Sequence, residues 1–145
     1  AKKIVQKLIE AGKNPGDCNV LVFGVTFKEN VSDIRNSKVF TLIKELQDFG
    51  VQVTAFDPYA NTEQVTKEYG VVCHAELDLV FVNCPSPITH HALLKKFNAI
   101  VLAVAHDQFK TLSKKDLEVL SKDELMLFDL KGVLKEQHIK NYWRL

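Results

Sequence analysis

A charged segment follows the first buried strand that the sequence predicts, and its residue types suit the binding of an anion. The apolar run 19–25 leads into Phe27, Lys28, Asp33 and Arg35. In an open parallel sheet, ligands bind just beyond the carboxyl ends of the strands, so this loop is a candidate binding site. A lysine beside a phosphate gives a charge-assisted hydrogen bond of roughly 1.5 to 3 kcal/mol. The segment therefore predicts a site for a phosphorylated ligand.

A second basic residue follows the apolar run 125–130, where Lys131 stands before Gly132. If both runs are parallel strands of one sheet, Lys28, Arg35 and Lys131 converge on the same edge. The whole chain has 19 basic and 18 acidic residues and a formal charge of +1, without long runs of either sign. This composition predicts a local cationic rim and gives no footprint for nucleic acid or an anionic membrane.

Structural roles also fit the acidic residues of the charged loop. Asp33, Asn36 or Ser37 is suited to cap the helix that follows, and Asp33 with Arg35 is suited to form a local ion pair. The sequence leaves both interpretations open.

Polar residues after two other apolar runs have similar alternatives. His106 and Asp107 follow residues 99–105, where they suit either a ligand site or the cap of the next turn. Asp57 and Pro58 end another run, and this pair is a common exit from a strand.

The sequence gives little indication of a metal site or of a catalytic nucleophile. His90 and His91 are adjacent, so their side chains diverge, and no carboxylate or cysteine stands at ligand spacing; a solvated loop and no metal are expected. Cys84 has no obvious base nearby and is interpreted as a buried thiol. With Cys18 and Cys73 it makes an odd number without CxxC spacing, which favours reduced thiols.

Gly24 stands alone in its loop, whereas a dinucleotide fingerprint carries three spaced glycines that let the backbone approach a pyrophosphate. NAD is therefore not an expected ligand of this loop.

The elements that must position these residues alternate between strands and helices. Apolar residues recur at helical spacing in some segments and form continuous buried runs in others. Helices are predicted at 3–11, 37–49, 61–69, 88–97 and 114–120, and strands at 19–25, 51–56, 70–73, 77–83, 99–105 and 125–130, the last strand. The pattern predicts an α/β, three-layer Rossmann-like domain with a mainly parallel sheet covered by helices on both faces. The closing aromatic residues Tyr142 and Trp143 are expected to pack against it.

The length of 145 residues, 46% of them hydrophobic, suits one domain with one buried core. The sequence has no apolar stretch of about 20 residues and no signal-peptide pattern, so a cytoplasmic protein is expected.

Four motifs resemble landmarks of one enzyme family. They are GVTFKENVSDIRNSK (24–38), FDPY (56–59), AVAHDQF (103–109) and DLKG (129–132). In this order they resemble the C-terminal UDP-binding domain of the UDP-glucose/GDP-mannose dehydrogenase family. The KEN form of the first motif and the ending YWRL (142–145) are most similar to the branch that oxidises UDP-N-acetylhexosamines, such as the glucosamine and galactosamine forms.

The resemblance implies an NAD-dependent UDP-sugar 6-dehydrogenase that makes precursors of surface polysaccharides by oxidising the sugar C6 alcohol to a carboxylate. The NAD domain and the catalytic cysteine motif of that family are absent from this chain, so no catalytic residue is expected here and the isolated chain is expected to be inactive and to bind no NAD. Residues 1–14 would be the end of a helical segment from a missing central domain, and residues 15–145 the UDP-sugar-binding domain. The full-length enzyme is expected to be a homo-oligomer.

Carried over by position, Phe27, Lys28 and Lys131 would contact the UDP-sugar, while Gly24, Asp33 and Arg35 would shape the loop. The alternative is a stand-alone α/β module that uses the same loop for another phosphorylated ligand or for a protein partner.

Overall fold

The computed structural model describes residues 1–76, 97–135 and 138–145, and these ranges contain a six-stranded sheet in which every neighbouring pair runs parallel. The strands are β1 (Asn19–Phe23), β2 (Gln52–Phe56), β3 (Val72–His74), β4 (Ala99–Leu102), β5 (Met126–Asp129) and β6 (Asn141–Arg144). Their order is β3-β2-β1-β4-β5-β6. The predicted parallel α/β sheet is thus confirmed.

Helices cover both faces of this sheet. They are α1 (Lys2–Glu10), α2 (Val39–Asp48), α3 (Thr62–Tyr69), α4 (Asp107–Lys110) and α5 (Lys114–Leu120), with a short 3-10 turn at Pro15–Asp17. Within the described ranges, no helix is long and apolar enough to cross a membrane.

The alternation of side chains along β1 divides the core into two layers. Val20 and Val22 belong to the cluster that contains the buried residues of α1, α2 and α3. Leu21 and Phe23 belong to the other cluster, which contains the buried residues of α4 and α5. Because both faces are covered, the strand reads as a continuous apolar run, as the sequence predicts.

The helices form where the sequence places an apolar stripe between clear boundaries. In α2 the stripe is Phe40, Ile43 and Leu46, all buried, and the chain leaves the helix through Gly50 at a φ of 83°. In α5 a capping box fixes the start, because Ser113 and Asp116 satisfy each other's backbone N–H groups.

Two strands end two or three residues earlier than predicted. β1 stops at Phe23 rather than at residue 25, because Gly24 turns the chain with a φ of 84°. β4 stops at Leu102 rather than at 105, because the N–H groups of Ala103 and Val104 both turn to the carbonyl oxygen of Phe23, at 2.9 and 3.2 Å. Residues 103–105 nevertheless remain buried, which explains their apolar character.

The prediction that 125–130 is the last strand is wrong, because β6 follows and pairs in parallel with β5. The segment was missed because it is only four residues long and carries polar residues at both ends. Trp143 stacks on Phe128 with ring centroids 4.9 Å apart, so the predicted packing of the closing aromatic residues is confirmed.

Most of the central predictions lie outside the described residues. These are the strand at 77–83, nearly all of the helix at 88–97, Cys84 and the histidine pair 90–91. Phe97, the last residue of that predicted helix, forms a parallel bridge with Ser121 instead.

Candidate functional site

An open cleft of about 530 Å³ lies beyond the carboxyl ends of β1, β4 and β5. The chain runs outward from β1 through β2 to β3 and then returns to β4 on the other side of β1. This reversal is a topological switch point, where doubly wound sheets bind their ligands. The cleft is lined by Thr26 and Phe27 after β1, by Ala103 and Val104 after β4, by Leu130 and Lys131 after β5, by the first turn of α2 with the residues before it, and by Ala1 and Leu145.

Gly24 allows the loops after β1 and β4 to approach closely. A Cβ atom at this position would lie 2.5 Å from the Cβ of Val104 and 2.9 Å from its carbonyl oxygen. The predicted loop-shaping role of Gly24 therefore has a steric basis in addition to its positive φ.

Asp57, which follows β2 and is fully buried, organises the loop after β1. Its Oδ2 accepts hydrogen bonds from the N–H groups of Val25 at 2.7 Å and Thr26 at 3.1 Å. Its Oδ1 accepts from Tyr59 and Ala60 at 2.9 and 3.1 Å, which closes its own turn. The exit turn predicted from Asp57-Pro58 is present, and the same carboxylate also holds the neighbouring loop.

His106 completes this arrangement and is also fully buried. Its Nε2 lies 3.0 Å from Oδ2 of Asp57 and 3.3 Å from the hydroxyl of Thr26, and its Nδ1 accepts the Asn30 N–H at 2.8 Å. His106 is also the N-cap residue of α4, as the alternative interpretation predicts: its carbonyl accepts the Phe109 N–H at 2.9 Å, although its ring makes no cap hydrogen bond.

The pKa of Asp57 reflects this environment. Burial raises the pKa, but hydrogen bonds from His106 and from the backbone N–H groups of Val25 and Tyr59 outweigh it. The net pKa lies below the ordinary aspartate value, so Asp57 is a carboxylate at neutral pH.

A second buried carboxylate, Asp129 at the end of β5, organises the other loop of the cleft. It accepts hydrogen bonds from the N–H groups of Lys131, Gly132 and Leu134 at 3.0, 2.7 and 2.8 Å. The hydroxyl of Tyr142 donates to it at 3.0 Å. Burial and this acceptor raise the pKa of Tyr142 to about 12, so the phenol remains a donor at neutral pH.

Two of the predicted ligand contacts, Phe27 and Lys131, line the cleft. Phe27 is 57% exposed, so its ring is accessible to a ligand in the cleft. The ammonium of Lys131 lies 3.8 Å from the carboxylate of Glu29 on the opposite loop. Lys28 is exposed in the same loop as Phe27, but the described lining residues do not include it.

The predicted pair of Asp33 and Arg35 is present. The guanidinium donates to both carboxylate oxygens at 3.0 Å, and the Arg35 N–H adds a bond of 2.9 Å. The hydrogen bonds from Arg35 lower the pKa of Asp33. The Asp33 carbonyl also accepts the Phe27 N–H at 2.7 Å, a contact that supports the loop-shaping role, which remains a prediction. Because Arg35 pairs locally and does not line the cleft, it does not join the predicted cationic rim there.

Lys38 also lines the cleft, although the sequence offers no reason to single it out within the motif 24–38. It is the N-cap residue of α2 and makes no side-chain cap bond; the hydroxyl of Ser37, a predicted cap, lies 3.4 Å from the Val39 N–H. The start of α2 therefore adds the positive end of a helix dipole to the ammonium groups of Lys38 and Lys131. An anion is the complementary ligand.

A second groove and two buried thiols are weaker candidates for a functional site. A groove of similar volume, about 530 Å³, runs between α2 and α3 past the stacked rings of Phe40 and Tyr69, away from the carboxyl ends of the strands. Cys18 and Cys73 are free and buried, and burial, with the nearby Asp57, raises the pKa of Cys73 to about 12. No group of three or more metal-ligating side chains occurs among the described residues.

Comparisons with known proteins agree with this geometry. Residues 21–136 match the model of the UDP-glucose/GDP-mannose dehydrogenase family, UDP binding domain. The UDP-N-acetyl-D-glucosamine 6-dehydrogenases of Salmonella typhi and Pseudomonas aeruginosa are 34% and 35% identical over 134 residues, which is 92% of this chain and 28% of each relative. The predicted resemblance to the N-acetylhexosamine branch is confirmed by these relatives.

A solved structure gives the same fold. The NDP-N-acetyl-D-galactosaminuronic acid dehydrogenase of Methanosarcina mazei superposes with a TM-score of 0.73 at 20% identity over 98% of this chain and 27% of that protein. The chain thus spans little more than a quarter of the proteins it matches. It belongs to the UDP-glucose/GDP-mannose dehydrogenase family, of which it carries the UDP-binding domain.

Proposed function

We propose that this chain supplies the nucleotide-sugar-binding wall of an NAD-dependent UDP-sugar 6-dehydrogenase that makes precursors of surface polysaccharides. The observation that carries the proposal is the cleft at the switch point, where Lys38, Lys131 and the start of α2 face the same space. A diphosphate matches this arrangement because it accepts several charge-assisted hydrogen bonds at once.

Phe27 and Lys28 add the remaining chemistry of the proposed site. The exposed ring of Phe27 offers an apolar face to a base or sugar, and Lys28 adds a mobile ammonium at the rim. A single wall of this kind leaves much of a nucleotide sugar in solvent. Binding to the isolated chain is therefore expected to be weak, on the order of millimolar.

The loop after β1 does not fit NAD. The loop after β1 has only Gly24, and the space beside that glycine is filled by Val104. A dinucleotide fold instead needs later glycines at the helix start, where this chain has Asn36, Ser37 and Lys38. The proposal places NAD and the reacting cysteine on other parts of a longer protein, so the chain alone should not oxidise a UDP-sugar.

Partners and location belong to the same proposal. The preceding NAD and central domains would provide the opposite wall of the cleft, in a homo-oligomeric enzyme of the cytoplasm. The free thiols Cys18 and Cys73 fit a reducing compartment.

An NMR titration of the purified chain with UDP tests the proposal. The amides of 24–28 and 131–132 should shift most, and binding should weaken with added salt because the attraction is largely between exposed charges. Lys131→Ala should weaken binding, whereas Lys67→Ala, which removes an exposed lysine of α3 outside the cleft, should not.

Two results would contradict the proposal. Micromolar binding that is insensitive to salt would favour a self-sufficient binding module. Formation of NADH that depends on the purified chain and is lost in Cys84→Ala would show that catalysis does not require the other domains.

A further inference from the structure

An acidic residue, Glu29, stands at the edge of the cleft beside one of its lysines. Its carboxylate lies 3.8 Å from the ammonium of Lys131. Glu29 belongs to the loop after β1, whereas Lys131 follows β5, and β4 lies between these two strands in the sheet. The pair therefore joins two loops across the end of β4, at the cleft that Lys131 lines. An anion that binds Lys131 must approach this carboxylate.

The contact with Lys131 neutralises Glu29 only in part. A distance of 3.8 Å is too long for a hydrogen bond, and the two side chains are 42% and 40% exposed, so water screens their attraction. By comparison, Lys110 reaches Asp107 at 2.7 Å. That bond is the main cause that raises the pKa of Lys110, and the charge of Glu29 adds a weaker contribution. Glu29 is therefore a loosely paired carboxylate whose charge can act on a ligand.

Hydrogen bonds on both sides of Glu29 hold its backbone at this edge. The carbonyl of Lys28, the residue before it, accepts the Thr26 hydroxyl at 3.0 Å. The N–H of Asn30, the residue after it, donates to the buried His106 ring at 2.8 Å. A ligand can therefore turn the side chain of Glu29 away from Lys131, but the carboxylate stays near the bound ligand.

We propose that Glu29 is a specificity-determining residue: its negative charge beside Lys131 disfavours ligands that end in a free phosphate, and so shifts the preference of the site from UDP towards a UDP-sugar. This inference rests on the function proposed above, because it requires the diphosphate to lie at Lys131.

The two ligands differ in charge at the end of the diphosphate. Free UDP ends in a phosphate monoester, whose second pKa is about 6. At about pH 8 it therefore carries one more negative charge than UDP-N-acetylglucosamine, in which the sugar esterifies that phosphate. Lys131 and the start of α2 attract this further charge, whereas Glu29 repels it. One unit charge about 5 to 8 Å from the carboxylate in water changes the affinity about 2- to 4-fold.

NMR titrations of the purified chain with UDP and with UDP-N-acetylglucosamine, at about pH 8 and low salt, test this inference. Glu29→Gln should bind both ligands more tightly but UDP by the larger factor, so that the ratio of the UDP to the UDP-N-acetylglucosamine dissociation constant falls about 2- to 4-fold. Glu29→Asp keeps the charge and should stay close to the wild-type ratio. The effect of Glu29→Gln on the ratio should vanish at about 1 M salt, where the Debye length is about 3 Å.

Glu63→Gln is the matched control, because it makes the same change in net charge at another site. Glu63 is exposed in the first turn of α3, and the described lining residues of the cleft do not include it. Its variant should keep the wild-type ratio. An unchanged ratio in Glu29→Gln, or an equal fall in Glu63→Gln, would overturn the inference.

A simpler anion separates this inference from the proposed function. If neither nucleotide shifts the amides of 131–132 in any of these chains, the proposed function fails. Inorganic pyrophosphate then tests the charge effect by itself: Glu29→Gln should bind it at least about 2-fold more tightly than the wild type and Glu63→Gln. Equal affinities, or no binding by any of the three chains, would overturn the role of Glu29.

Discussion

Replacing Gly24 with alanine should destabilise the chain more than any similar change at a glycine in open space. The backbone φ of 84° lies in the left-handed region, where a side chain costs about 1 to 2 kcal/mol. The new Cβ would also lie 2.5 Å from the Cβ of Val104 and 3.0 Å from its Cα. Because these atoms belong to or adjoin the backbone, relief requires the two loops to separate, at a further cost of about 1 to 3 kcal/mol.

A matched control isolates the steric part of this effect. Gly70 ends α3 with a φ of 66°, but a Cβ there would meet no atom within 4 Å. Gly70→Ala should therefore lose only the conformational cost of about 1 to 2 kcal/mol, whereas Gly24→Ala should lose about 2 to 5 kcal/mol. Urea unfolding followed by circular dichroism gives both free energies of unfolding. Equal losses for the two variants would refute the close approach of the loops after β1 and β4.

Three further predictions concern the hydrogen bonds around the cleft. The folded pKa of Asp57 lies below the ordinary value of 3.8, so its contribution to the free energy of unfolding should be present above about pH 4 and lost as the pH falls further. Urea midpoints should therefore decrease between about pH 5 and pH 2. A constant midpoint would contradict this. Asp33→Ala should lower the thermal midpoint while UDP still binds, and an unchanged midpoint with loss of binding would make Asp33 a ligand contact. Tyr142→Phe should lower the free energy of unfolding by about 0.5 to 1.5 kcal/mol, because Asp129 loses one of its donors; an unchanged value would show that water replaces the phenol.

Much of the fold follows from local patterns in the sequence. The continuous apolar runs and the helical stripe of α2 identify buried strands and a covering helix, and alternation of the two leads to a parallel sheet. The same logic places Phe27 and Lys131 at one edge, because parallel strands end on the same side. β6 was missed because a short strand with polar ends has little apolar periodicity to reveal it.

The buried hydrogen bonds that hold the loops of the site could not be predicted in the same way. Asp57 and His106 each follow an apolar run in the sequence, but both positions equally suit a local turn or cap. Their contact joins residues 49 positions apart, and only the order of the strands brings them together. Lys38 cannot be selected from the sequence either, since a motif does not reveal which of its residues line a cleft.

A crystal structure of the chain with UDP, at concentrations above the expected millimolar dissociation constant, would show where the nucleotide binds. The cleft and the groove between α2 and α3 each have a volume of about 530 Å³, so either has room for the nucleotide. The diphosphate should lie in the cleft beyond β1, β4 and β5, within hydrogen-bond distance of Lys131 or of the N–H groups that begin α2. A nucleotide seated instead between α2 and α3, against Phe40 and Tyr69, would contradict the assignment of the site.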